Sequence, residues 1–288
     1  MIRTPLLDLD HTLDSGQVFR WTGDGEWWTG VVGSRSLRLR QNGDRLDVQG
    51  DADEAFLRSY LRLDDDLEAI YRDISRDECI ASIIDRFRGM RLIRQDPWEC
   101  SASYLLASYS NVPRIKKMIE NLCRTYGRML PDGRYAFPSP EELAEGCGDI
   151  TSCHLGYRAE WIRGYARSVM DGSFDLQRLQ TLDYPEAVRY LKTVKGIGDK
   201  VADCIALFSL DHLEACPVDV RIARAMKEIY GVSGSYKRVS GHARQHFGRF
   251  AGYAQEYLYI AEDRERKKAL AASVSCRSCL PGKRNPGP

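Results

Sequence analysis

Leu191-Lys-Thr-Val-Lys-Gly196-Ile-Gly198-Asp-Lys200-Val-Ala-Asp-Cys204 reads as one helix ending near Lys192, a Gly-Ile-Gly turn, and a second helix opening at Asp199 or Lys200. Two glycines allow positive φ and close approach of another backbone. They leave successive N–H groups pointing outward beside a helix N-terminus, which can cradle a phosphate. A Gly-x-Gly turn alone is a weak sign, because most such turns are only connections. Lys200 strengthens it. The residue falls in the first turn of an apolar helix (Val201, Ala202, Ile205, Ala206), where the helix dipole disfavours a cation and partial burial lowers an amine pKa. Such an amine is an available nucleophile near neutral pH. Further on, Pro217-Val-Asp219-Val-Arg221 reads as an extended stretch leading into a helix capped by Asp219. A carboxylate held ionised by backbone N–H groups can stabilise positive charge on a reacting sugar. Taken singly, Asp219 is a simple N-cap and Lys200 a solvated surface lysine.

Working outward, the first fifty residues carry strand patterns at 17–21, 26–32, 36–41 and 45–49, separated by Gly-containing turns. Leu37, Leu39 and Gln41 share a face by the period of two, and Asn42-Gly43 is a hairpin signal. From Asp53 the period becomes helical. Ile80, Ile83, Ile84 and Phe87 mark an amphipathic helix over 77–88 with Asp77 as cap, and Ser139-Pro140-Glu141-Glu142 forms a capping box. Further helices are expected near 97–109, 112–127, 156–171, 184–192, 199–210, 220–230 and 241–264. The fold class is therefore α+β: an N-terminal antiparallel sheet domain with flanking helices over 1–75, then a mainly helical body over 76–280. The body holds the helix-hairpin-helix at about 184–210, and a disordered Pro/Gly/Lys/Arg tail is expected at 281–288.

Composition is ordinary for a globular chain: 288 residues, 43% hydrophobic and 29% charged, which excludes a disordered or collagen-like protein. The net charge of +1 argues against a non-specific polycation, but it hides a gradient. Residues 1–78 sum to −7, residues 79–186 balance, and residues 187–288 sum to +8, placing a basic surface where the hairpin lies. The first residues contain no apolar segment of a secretory signal, and no apolar run approaches the roughly 18–20 residues that span a bilayer. Nine scattered cysteines point to a reducing compartment. Cys276-x-x-Cys279 is a close pair without two further ligands at a matching spacing, so no metal is expected.

The hairpin, Lys200 and the Pro-x-Asp segment together resemble the helix-hairpin-helix–Gly/Pro…Asp superfamily of DNA base-excision glycosylases. Ser15-Gly16-Gln17-Val-Phe19-Arg20-Trp21, Arg91-Leu-Ile-Arg94-Gln-Asp-Pro97-Trp-Glu-Cys100, Leu155-Gly-Tyr157-Arg158-Ala, Lys200-Val-Ala-Asp-Cys204 and Tyr253-Ala-Gln255 resemble the eukaryotic-like 8-oxoguanine DNA glycosylases, in that family's order across residues 13–260. The resemblance implies removal of 8-oxoguanine from duplex DNA, with lyase activity at the resulting sugar. It assigns Lys200 as the nucleophile at C1′ and Asp219 as the stabiliser of the developing charge. Gly16 would offer a backbone carbonyl to the N7–H that distinguishes 8-oxoguanine from guanine. Gln255 would read the Watson–Crick edge, Cys204 and Tyr259 would sandwich the base, and Phe19 joins the base-binding set.

On the DNA side the resemblance implies that Tyr157 wedges into the stack, Arg114 and Arg158 read the orphaned cytosine, and the backbone of Gly196–Gly198 grips phosphate. Two departures stand out. Ser108-Tyr109-Ser110-Asn111 replaces the family's asparagine run, so Tyr109 stands where an asparagine fills the gap left by the flipped base, which puts the preference for cytosine in doubt. Arg221 replaces a histidine and would take over a phosphate contact. Monofunctional relatives keep the aspartate without the lysine, and the oxidised-pyrimidine branch carries a four-cysteine cluster that is not found here. A surviving Lys200/Asp219 pair likewise argues against a module that only binds DNA. The expected partner is double-stranded DNA containing 8-oxoguanine, bound by a monomer without cofactor or membrane, in a prokaryotic cytoplasm or, in a eukaryote, the nucleus.

Overall fold

Alternation along the first fifty residues produces a five-stranded antiparallel sheet in the order β1-β5-β4-β3-β2. Its strands are β1 (Ile2–Arg3), β2 (Trp21–Gly23), β3 (Trp28–Val32), β4 (Arg35–Asn42) and β5 (Arg45–Gly50), with α1 (Leu9–Leu13) between the first two. The computed structural model describes residues 2–4 and 6–278, with side chains of the last helix described through Glu265. Leu37, Leu39 and Leu46 are fully buried in one core with Trp21, Leu57 and Leu61. Pairing of Asn42 with Arg45 closes a two-residue hairpin in which Gly43 takes φ +59°. Gln41, on the same face, turns its amide to α1, accepting from the Leu9 N–H at 2.7 Å.

The strand expected at 17–21 does not form before Trp21. Gln17 is buried, and its side-chain amide donates to the carbonyls of Thr12 (3.0 Å) and Arg91 (2.9 Å) and accepts from the Ile93 N–H (2.7 Å). These long-range bonds take the place of a sheet ladder and fix Gly16 in an irregular loop. β1 was not anticipated, since two residues are too short to show a period.

The body follows: α2 (Glu54–Tyr60), α3 (Leu67–Ile74), α4 (Glu78–Arg86), α5 (Pro97–Leu106), α6 (Val112–Tyr126), α7 (Pro140–Glu145), α8 (Arg158–Met170), α9 (Leu176–Leu179), α10 (Tyr184–Leu191), α11 (Asp199–Ser209), α12 (Val220–Tyr230), α13 (Tyr236–Phe247) and α14 (Ala251–Ser278). Asp77 caps α4 through the Ile80 N–H at 3.0 Å, and Ser139 and Glu142 form the reciprocal capping box on α7. The single helix expected over 241–264 is two. Gly248 takes φ +71°, a conformation that ends α13, and a short 3₁₀ turn leads into α14.

Every residue of α11 from Val201 to Ser209 is buried. Asp203, 2% exposed, accepts from the hydroxyls of Tyr184 (2.8 Å) and Tyr236 (2.5 Å), tying α10 and α13 to this helix. Gln95 binds the Phe208 carbonyl through its N–H (2.8 Å) and the Gln17 carbonyl through its amide (2.9 Å), so α11 is also anchored to the Gly16 loop. The helix that carries Lys200 is thus held rigidly on several sides. Cys276, Cys279 and the tail at 281–288 lie outside the described side chains. Among the described residues, no helix is long and apolar enough to cross a membrane.

Candidate active site

The two hairpin glycines serve different ends. Gly196 takes φ +97°, and a Cβ there would meet Trp161 Cε3 at 2.4 Å, so conformation and space both require glycine. Gly198 has an extended backbone (φ −97°, ψ −174°) with open space around it, leaving its surface accessible to another backbone. No side chain caps α11, so its first N–H groups keep their hydrogen-bonding capacity for an anion. Lys200 lies within that first turn, with Nζ 5.4 Å from the centre of the Tyr104 ring.

Lys200, Cys204, Asp219, Gly16, Gln255 and Tyr259 line one cavity of about 110 Å³, with Phe19 and Tyr104 among the other walls. Asp219 caps α12, accepting the N–H groups of Arg221 and Ile222 on Oδ1 at 2.9 Å each, and Oδ2 takes no part in the cap. Cys204 is 3% exposed; burial pushes its thiol up to about 11, with Lys200 beside it pulling the other way. At neutral pH it offers an uncharged, polarizable surface. Gly16 takes φ +95°, and a Cβ there would lie 3.2 Å from Tyr259 Cε1, so loop and ring are in close contact at the cavity wall. Gln255 is 5% exposed, and its Oε1 is buried with no hydrogen-bond partner among the described residues. Buried unpaired acceptors are uncommon, and this one belongs to a residue that lines the cavity.

A larger cavity of about 310 Å³ lies between the sheet and α6, but its cations are occupied. Arg20 pairs with Glu99, Lys116 donates to the Trp21 carbonyl (3.1 Å), and Arg134 pairs with Asp132. Cys123 and Glu120 also line it, but burial holds the Cys123 thiol well above its ordinary range and Glu120 is paired with Lys117 and Arg124.

The rim of the Lys200 cavity is formed by the turn between α5 and α6, through Ala107, Ser110 and Val112. Tyr109 projects from this turn at φ +51° and is 95% exposed, an unusual setting for a large aromatic residue. Asn111 spends its side chain capping α6, accepting the Arg114 N–H at 3.0 Å. Arg114 is exposed and, among the described residues, forms no ion pair. Half-exposed Tyr157 packs on Trp161, ring centres 4.8 Å apart, and Trp161 packs on Gly196. Cavity, rim, Tyr157 and hairpin are therefore contiguous.

Two arginines are placed otherwise than expected. Arg158 is 3% exposed and donates to the carbonyls of Ser108 (3.0 Å) and Tyr109 (3.3 Å), so it holds the rim from within rather than reaching outward. Arg221 lies 4.8 Å from the centre of the Tyr259 ring, hydrogen-bonds its hydroxyl and pairs with Asp263 at 3.2 Å, so it clamps the cavity wall instead of facing phosphate. Sequence reading missed Glu256, which lines the cavity while 3% exposed, and Val220, which is 84% exposed directly after Asp219. A legible signal for Glu256 is a charged residue within the otherwise uncharged, mostly apolar 251–261 segment.

Comparison with known proteins finds relatives along most of the chain. A family model for the 8-oxoguanine DNA glycosylase N-terminal domain matches residues 2–100. The N-glycosylase/DNA lyase OGG1 of Arabidopsis thaliana is 32% identical, over 92% of this chain and 80% of its own length. A probable N-glycosylase/DNA lyase of Methanothermobacter thermautotrophicus is 33% identical over 67% of this chain and 70% of its own. The solved 8-oxoguanine glycosylase/lyase of Clostridium acetobutylicum, in complex with double-stranded DNA containing cytosine opposite 8-oxoguanine, superposes with a TM-score of 0.85. That pair is 29% identical and covers 90% of this chain and 93% of the other.

Proposed function

The chain belongs to the 8-oxoguanine N-glycosylase/DNA lyase family, and on that premise we propose that Lys200 carries both of its reactions through a covalent bond to the sugar. The protein excises 8-oxoguanine from double-stranded DNA and cleaves at the abasic site. A stacked base cannot reach a cavity, so the nucleotide is flipped out of the helix. The hairpin N–H groups of α11 hold phosphate near the lesion, and Tyr157 and Tyr109 occupy the stack. In the cavity the Gly16 carbonyl accepts N7–H of 8-oxoguanine. Guanine presents a bare acceptor there, and two unpaired acceptors cost about 1–3 kcal/mol. Gln255 Oε1 accepts from the Watson–Crick edge, while Cys204 and Tyr259 take the two faces.

The Lys200 amine attacks C1′ as the glycosidic bond breaks, and Asp219 stabilises the positive charge that develops on the sugar. Ring opening leaves a Schiff base, and loss of a C2′ proton then breaks the strand on the 3′ side. The observation that carries this reading is the convergence of Lys200 and Asp219 on the one cavity lined by Gly16, Cys204, Gln255 and Tyr259. Borohydride reduction during reaction with an 8-oxoguanine duplex should trap a covalent adduct, and Lys200→Gln should abolish it. An undiminished adduct from Lys200→Gln would refute the assignment.

A further inference from the structure

The mechanism above leaves Glu256 unused, although its side chain lines the same cavity as Lys200 and Asp219. Glu256 is 3% exposed, and its Oε1 is buried without a hydrogen-bond partner among the described residues. Asp219 commits Oδ1 to two backbone N–H groups, whereas Glu256 Oε1 has no bond to lose when it takes up a proton. The titratable groups around it are Lys200 on α11, Asp219 at the start of α12, Tyr104 on α5 and Tyr259 on its own helix, with Cys204 on the cavity wall. Burial holds both phenols above their ordinary range, so they stay neutral.

We propose that Glu256 is an acid–base residue of this site that exchanges a proton with Lys200. Its carboxylate takes a proton from the Lys200 ammonium. The freed Nζ lone pair forms the bond to C1′ while the C1′–N9 bond breaks, its electron pair leaving with the purine. The purine anion then takes the proton from the Glu256 carboxyl, restoring the carboxylate with no further reactant. Burial pushes Glu256 up to about 8, with Ser15 hydrogen bonding opposing this, Asp219 adding to it and Lys200 opposing it. A group in that range both accepts and returns protons near neutrality. The inference rests on the Lys200 chemistry.

Glu256→Gln keeps the shape but has no proton that it can exchange near neutrality. Adduct formation is measured across the neutral-to-alkaline range on an 8-oxoguanine duplex and on a duplex with a preformed abasic site, where no base is present. Glu256→Gln should slow both by on the order of a hundredfold and move the rising limb of the pH profile upward. Binding to a duplex carrying a tetrahydrofuran abasic analogue checks its fold. Ser15→Ala, which removes hydrogen bonding that favours the carboxylate, should shift the limb in the same direction with the charge retained, and it decides the matter if Glu256→Gln fails to bind. Wild-type speed of Glu256→Gln on the abasic duplex would overturn the proposal in favour of base contact alone, as would an unmoved pH limb in both variants. No adduct from the wild type would instead sink the Lys200 chemistry and Glu256 with it.

Discussion

Gly16→Ala tests the link between loop geometry and lesion choice. At φ +95° an added Cβ is strained, and it would lie 3.2 Å from Tyr259 Cε1. The left-handed conformation costs about 1–2 kcal/mol for a residue with a Cβ. The ring cannot swing freely aside, because Arg221 covers it at 4.8 Å and pairs with Asp263. Gln17 is equally fixed by its three bonds to Thr12, Arg91 and Ile93, so relief falls on the Gly16 peptide and its carbonyl. Loss of one buried hydrogen bond of about 1–3 kcal/mol corresponds to roughly 5- to 150-fold slower excision. The melting temperature should fall by roughly 2–8 °C. Single-turnover excision on an 8-oxoguanine·cytosine duplex and thermal melting measure the two effects, with adduct formation on an abasic duplex as control. Excision should slow while the abasic reaction persists. Undiminished excision alongside the stability loss would refute the reasoning, and equal loss on both substrates would show that Gly16 supports the lysine rather than the base.

Two other perturbations follow from the DNA face. Tyr109 is fully presented to a partner but lacks an amide, so the wild type should discriminate weakly among the four bases opposite the lesion, and Tyr109→Asn should raise the preference for cytosine; excision rates on the four duplexes decide it. The hairpin glycines should separate. Gly196→Ala, with Trp161 at 2.4 Å and φ +97°, should cost about 2–5 kcal/mol in a melting experiment. Gly198→Ala meets nothing within 4 Å, so it should keep the melting temperature while weakening duplex binding.

Much of the fold was legible because it is local. Asp77, Ser139 and Asp219 cap the helices their spacing assigns to them, and Leu37 and Leu39 bury the face that a period of two assigns. The errors lie where distant partners outcompete local preference. Gln17 alternates like a strand residue, yet its amide satisfies backbone groups of Arg91 and Ile93. A helical period runs through 241–264, but Gly248 adopts a backbone that ends α13. The resemblance sends Arg158 to the orphaned cytosine and Arg221 to phosphate, whereas here carbonyls hold the first and an aromatic ring the second.

The sequence by itself determined the α+β order of elements, the family, and the residue types from which this chemistry is built, since caps, periods and motif spacing are written along the chain. It also contained the charge gradient from −7 to +8. Only the tertiary structure decided that Gly16 touches Tyr259 and that Lys200, Asp219 and Glu256 share one small cavity. It also decided that burial raises the Cys204 thiol and the Glu256 carboxyl above their ordinary ranges. Those properties arise from desolvation and from contact between segments far apart in the chain, and neither has a local signature in the order of residues.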